Sequence, residues 1–177
     1  MANLQIGDQA IDFELPGVDG KDYSLEDVCE GKDVTAVIFM CNHCPYVLAW
    51  LERIMAAVRD YADEGVAFVG INANDAAKYP ADSFEKMQEL AQERGLPFPY
   101  LRDESQQVAR AYGAERTPEI FVFDADLRLR YHGAPDDNYD EELASEPYLR
   151  NALDAVLESG SPAVDETPPV GCTIKWK

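Results

Sequence analysis

Residues Val34-Thr35-Ala36-Val37-Ile38-Phe39-Met40 form an unbroken run of β-branched and apolar side chains. The run is short enough for a strand and too continuous for one with a solvent face. It therefore predicts a central strand buried on both sides. Cys41-Asn42-His43-Cys44-Pro45 follows directly, and then Val47, Leu51, Ile54, Val58 and Tyr61 recur at three- and four-residue spacing. That period predicts a helix from about Pro45 to Glu64, with proline in its first turn and Gly65 as its stop. Val66 to Ile71 is a second buried strand, so the unit is strand–helix–strand with a right-handed parallel crossover. The fold class is α/β.

The flanking segments complete one domain. Ile11 to Leu15 alternates apolar and acidic residues, a half-buried strand, and the Pro16–Lys21 turn returns the chain at Tyr23. Ser24 reads as the cap of a short helix. Further helices are expected over Ser83–Arg94, Glu104–Tyr112 and Glu146–Glu158, with an extended piece at Tyr100-Leu101. Ile120–Phe123 and Leu127–Tyr131 flank Asp124-Ala125-Asp126 as a hairpin. The tail from Gly160 to Lys177 has no period. No linker divides the chain, so residues 1–160 are read as the domain and 161–177 as a tail packed on it. At 46% hydrophobic residues the chain can fill one core.

Charge narrows the partners. With 34 acidic against 15 basic side chains the net charge is −19. Such a surface repels phosphate backbones and anionic lipid, so neither nucleic acid nor a membrane is an expected partner. No apolar run is long enough to span a bilayer, and Met1 to Asp8 reads as no leader, which makes the cytoplasm the expected setting. The acidic excess is spread along the chain, which fits either a salt-adapted host or an ordinary acidic cytosolic protein. The run Asp136 to Glu142 lacks calcium-loop spacing and reads as a solvated loop.

The chemistry concentrates at Cys41 and Cys44. Two cysteines separated by two residues sit where a buried strand meets a helix N-terminus, whose partial positive charge and free N–H groups favour a thiolate. The thiolate attacks disulfides or peroxides, and the second sulfur closes a compact disulfide. Structural zinc needs four ligands, and Cys29, Cys172, His43 and His132 form no second paired motif, so no metal is expected, nor any organic cofactor. Thr117-Pro118 precedes the apolar run at Ile120. Proline there belongs at a strand start, and with the dithiol upstream the bond is expected cis. Cys29 reads as a small packed residue and His132 as a surface one. Cys172 either relays electrons to the dithiol or packs with the tail.

The stretch Gly7-Asp8-Gln9-Ala10-Ile11-Asp12-Phe13-Glu14-Leu15-Pro16, with Asp19-Gly20-Lys21, resembles the opening of the redoxin branch of the thioredoxin superfamily, the alkyl hydroperoxide reductase/thiol-specific antioxidant group. Cys41 to Pro45 and Arg116-Thr117-Pro118 are similar to that fold's active-site helix and cis-proline loop. Gly70 to Asp75, Asp103 to Gln106 and Gly171 to Lys177 extend the likeness to a peroxiredoxin-like subgroup. The resemblance implies a thioredoxin-like fold, a mixed sheet flanked by helices with an N-terminal hairpin. It implies a thiol–disulfide oxidoreductase with an antioxidant role, acting on a protein or small-molecule disulfide or peroxide and recharged by a cellular thiol. Cys41 would be the exposed attacking thiol and Cys44 the buried resolving one. His43 would tune the thiolate, and the Thr117-Pro118 loop would present backbone to an extended substrate. Met40 and Thr35 stand where such proteins carry Trp and a buried Asp. In a peroxiredoxin register Cys44 would instead meet the peroxide, with Cys41 resolving and Arg116 near the site, although Cys41 and Val37 replace that register's hydroxyl residue and proline. A non-catalytic binding module is the third reading, and the oligomeric state is open.

Overall fold

The computed structural model describes residues 4–177; residues 1–3, the start of the segment read for a leader, lie outside it. The strand expected at Val34 is β3 (Val34–Phe39), buried along its whole length. The helix after it is α2 (Pro45–Tyr61), and β4 (Val66–Asn72) returns parallel to β3. Gly65 between them takes a positive φ of 79°, the left-handed turn that glycine adopts without steric cost.

Around this unit the chain builds β1 (Glu14–Pro16), β2 (Asp22–Ser24) and α1 (Leu25–Cys29), then α3 (Phe84–Arg94), β5 (Tyr100–Arg102) and α4 (Gln107–Tyr112). It closes with β6 (Arg116–Thr117), β7 (Glu119–Phe123), β8 (Leu129–Gly133), α5 (Tyr148–Leu157) and β9 (Cys172–Thr173). The central sheet has the order β5-β4-β3-β7-β8. β3 runs parallel to β4 and antiparallel to β7, so the sheet is mixed. β1 and β2 form the N-terminal hairpin. Among the described residues no helix is long and apolar enough to cross a membrane.

Period-two alternation along β3 splits its side chains between two apolar layers. Val34, Ala36, Ile38 and Met40 pack with α2, α3 and α5, while Val37 and Phe39 pack with α1 and α4. The second layer is aromatic: Tyr112 meets Phe39, Phe121 and Phe123 at centroid distances of 5.6, 5.5 and 6.2 Å. The first pair is tilted and the other two are edge-to-face, and aromatic pairs of this kind add about 0.5–1.5 kcal/mol each beyond burial. A core on both faces holds β3 rigidly, which fixes where Cys41 emerges.

The tail, which shows no period in the sequence, carries β9, paired antiparallel with β6, and Glu166 bridges to His132 on the edge of β8. A two-residue strand carries no readable period, so only long-range backbone pairing defines it. The acidic run is not wholly solvated, since Asp136 accepts from Trp50 Nε1 at 2.7 Å and pairs with Arg53 at 2.6 Å. The helix expected from Glu104 begins at Gln107, because Gln106 adopts a left-handed conformation and closes a turn back to Asp103.

Candidate active site

Cys41 lies one residue beyond β3 and its neighbour Met40, and Cys44 is the residue on which α2 starts, with Pro45 in the first turn. Both cysteines are buried, 1% and 2% exposed, so the exposed attacking position expected for Cys41 is not found. Cys41 continues the line of a strand covered on both faces and packs in the same cluster as Met40, Cys44 and Val47. Thr117 closes over the pair. Its hydroxyl lies 3.6 Å from Cys41 Sγ, and its carbonyl accepts from Cys44 Sγ at 3.6 Å. The Thr117–Pro118 bond is cis.

The two sulfurs are electrostatically unequal. The Cys44 thiol is pushed well below the usual thiol range, first by the hydrogen bond from Cys41 and, against burial, by the Cys172 thiol and the nearby N–H groups of Val47 and Cys172. Its place at the N-terminus of a long helix acts in the same direction. Cys41 is pushed far up, because it donates to Cys44, because it is desolvated, and because the Asp82 carboxylate stands beside it. Of the two, Cys44 is the one whose surroundings favour the thiolate, and in its protonated form it donates to the Thr117 carbonyl.

Asp82 was not legible as a site residue. It ends a 3-10 turn, Pro80–Asp82, and is fully buried. Oδ1 accepts from the Asn42 N–H at 2.8 Å and Asn72 Nδ2 at 3.1 Å, and Oδ2 from Asn74 Nδ2 at 2.9 Å. Asn42 in turn accepts from the Tyr100 hydroxyl at 2.7 Å. A carboxylate is thus brought next to Cys41 from a loop, where Thr35 leaves the strand position without one. The only signal available was the pair of asparagines in Asn72-Ala73-Asn74.

His43 does not stand free as a tuner of the thiolate. Its Nδ1 pairs with Asp82 Oδ2 at 3.0 Å, and its ring stacks on Tyr79 with centroids 6.4 Å apart. A His43 ring nitrogen, an Asp82 oxygen and Cys41 Sγ lie within 4.8 Å of one another. These three could supply ligands to a metal, one short of a closed tetrahedral set. Both Asp82 oxygens already accept from the asparagines, so the carboxylate is organised as an acceptor for protein donors.

Arg116 serves the tail, with Nη1 donating to the Gly171 carbonyl at 3.1 Å. Cys172 in β9 sits opposite Thr117. His132 is not a surface residue. It is clamped between Glu119 at 2.6 Å and Glu166 at 3.4 Å and stacks on Phe121 at 4.5 Å. Buried Glu119 also accepts from the backbone N–H groups of Glu115 and Arg116, which ties this cluster to β6. Cys29 is half-buried at the end of α1 and away from the others.

Residues 6–132 match the model of the AhpC/TSA family. The chain is 27% identical to the thiol-disulfide oxidoreductase ResA of Geobacillus thermodenitrificans over 129 residues, 72% of this chain and 68% of that one. It is 30% identical over 118 residues to a peroxiredoxin-like protein of Mycobacterium tuberculosis strain H37Rv, 67% of this chain and 69% of the other. A solved structure of an uncharacterized conserved protein from Geobacillus kaustophilus is 44% identical, with a TM-score of 0.93 over 98% of this chain and 93% of that one. More distant solved oxidoreductases share the thioredoxin-like fold.

Proposed function

The chain belongs to the AhpC/TSA family and is an oxidoreductase, and from that premise we propose a thiol–disulfide oxidoreductase in which Cys44 attacks and Cys41 resolves. The observation that carries this reading is the place of Cys44 at the N-terminus of α2, while Cys41 lies beside the buried Asp82 carboxylate. The carboxylate beside Cys41 reverses the roles expected from the resemblance. An anion on Cys41 would stand within 4.8 Å of Asp82, and like charges about 5 Å apart cost roughly 3 kcal/mol at an effective dielectric near 20. Helix-end stabilisation, about 0.3–1 kcal/mol, does not offset that.

Cys44 Sγ attacks one sulfur of the substrate disulfide, forming a mixed disulfide while the other sulfur leaves as a thiolate and takes a proton. With Cys44 so bonded, the charge that kept Cys41 protonated is gone. Cys41 then gives up its proton, with Asp82 and His43 as the nearest acceptors, and attacks Cys44 Sγ. The second substrate thiol departs and a Cys41–Cys44 disulfide remains. A cellular thiol donor returns the two electrons.

A second reading, thiol peroxidase and an antioxidant role, is favoured by the same depressed Cys44 beside Pro45. Here Cys44 takes one oxygen of hydrogen peroxide as a sulfenic acid while the other leaves as water, and Cys41 condenses with the sulfenic acid, releasing a second water. Steady-state assays on a protein disulfide and on hydrogen peroxide separate the two readings. Cys44→Ser should abolish whichever activity is present, and Cys41→Ser combined with Cys172→Ser should trap a Cys44 mixed disulfide with a disulfide substrate. Trapping on Cys41 in Cys44→Ser would reverse the roles. Two variants as active as the wild type would leave a non-catalytic binding module.

A further inference from the structure

Thr117 is the common neighbour of three cysteines. It contacts the sulfurs of Cys41 and Cys44, and its backbone pairs in register with Cys172. The Cys172 side chain packs against the cluster that holds the buried pair, and its thiol faces Cys44. Unlike the other two, it is part exposed.

The tail is clamped on both sides of this residue. Before it, Gly171 passes so close to Thr117 that a Cβ at position 171 would fall on the Thr117 carbonyl. Arg116 also holds the Gly171 carbonyl. After it, the Ile174 N–H donates to the Glu115 carbonyl at 2.9 Å and the Lys175 N–H to Asn74 Oδ1 at 2.9 Å, with the Ile174 side chain buried. A strand added at this edge places its cysteine where an extended partner chain would place one.

We propose that Cys172 is the third thiol of a relay, carrying oxidising equivalents from the buried Cys41–Cys44 disulfide to the surface. This rests on the dithiol function above and adds its exit route. First, the Cys172 thiolate bonds to Cys44 Sγ as the Cys41–Cys44 bond breaks. Cys41 leaves as a thiolate and takes up the proton Cys172 released, so the exchange is an isomerisation with no net redox change. Second, one thiolate of an external dithiol attacks the part-exposed Cys172 sulfur, and Cys44 departs as the most acidic, and so the best, leaving group. The donor's second thiol then displaces Cys172 and closes the donor's own disulfide, having delivered two electrons and two protons. In the reduced chain Cys172 is pushed up to about 11, by burial first and then by Cys44. Tying Cys44 into a disulfide removes the second cause and leaves the first, which eases ionisation of Cys172 once the pair is oxidised.

The test is peptide mapping of the full chain after one equivalent of diamide and an acid quench. In Cys41→Ser the expected product is an intramolecular Cys44–Cys172 disulfide. Adding Gly171→Ala keeps both thiols and displaces the strand, and should cut the yield about tenfold by lowering their effective concentration. In an otherwise wild-type chain, Cys172→Ser should slow multiple-turnover disulfide reduction about tenfold relative to the first turnover. A Cys41→Ser chain folded by circular dichroism that gives no Cys44–Cys172 link overturns the relay, and so does unchanged multiple turnover in Cys172→Ser. The mapping needs no substrate, so its failure is distinct from a failure of the wild-type chain to reduce disulfides.

Discussion

Cys29 and Cys44 stand at opposite kinds of helix end. Cys29 is the last residue of α1, where carbonyls point outward, and its thiol reaches back to the Glu26 carbonyl at 3.8 Å. Burial, with the charges of Glu26, Asp12 and Glu30, pushes it up. Cys44 begins α2, where N–H groups point outward, and two further thiols turn toward its sulfur. The same side chain is thus disfavoured as a thiolate in one place and favoured as one in the other. What differs is the polarity of the backbone end and the sign of the nearest charge.

The largest expected effect breaks the comparison at its strong side. Cys44→Ser should lower disulfide reduction by at least roughly a thousandfold, the scale seen when a nucleophile is removed. Cys29→Ser should stay within about twofold of wild type. Comparable losses in both would make the contrast meaningless.

Asp82→Asn tests why the anion is on Cys44 and not Cys41. Without the carboxylate, Cys41 should ionise at lower pH and compete for the charge. The share of mixed disulfide formed on Cys41 rather than Cys44 should rise about tenfold, read by peptide mapping of quenched turnover. An unchanged pH profile would remove Asp82 from the account.

His132 separates charge that acts at the site from charge that holds its loop. Burial works against its protonation, but Glu119 and then Glu166 raise it above its ordinary value. A raised histidine contributes its stability fully below the unfolded value near 6.5 and loses it as pH rises through the folded value. His132→Gln should therefore cost about 1 kcal/mol at pH 6 and progressively less in alkaline solution. A pH-independent cost, measured by denaturant melts, would mean the imidazole acts only by packing on Phe121. The smallest effect concerns the inert thiol: Glu26→Gln should raise the alkylation rate of Cys29 at pH 8 about twofold, without altering turnover.

The strand–helix–strand unit could be read from the sequence because its signals are local. The period of α2, Pro45 at its start and Gly65 at its stop all act within a few residues of the structure they produce. The dithiol was legible for the same reason, since Cys41 and Cys44 announce themselves by spacing and position. Their roles were not, because Asp82 reaches Cys41 from a loop forty residues downstream of Asn42 in the chain and Cys172 arrives on a strand with no period. The partial burial of His132 is equally non-local. Its partners Glu119 and Glu166 lie 13 and 34 residues away, and only the pairing of β7, β8 and the tail brings them together.

The sulfur that carries the negative charge is the one that attacks. Thiolate ultraviolet absorbance of the reduced protein, followed against pH in wild type, Cys41→Ala and Cys44→Ser, identifies it without requiring a reagent to enter the buried site. One thiolate should persist well below neutral pH in the wild type and vanish in Cys44→Ser. In a Cys41→Ala chain, which lacks the donor that a serine hydroxyl would keep, it should ionise at higher pH. A low-pH thiolate that survives Cys44→Ser and disappears in Cys41→Ala would contradict the assignment of Cys44 as the attacking thiol.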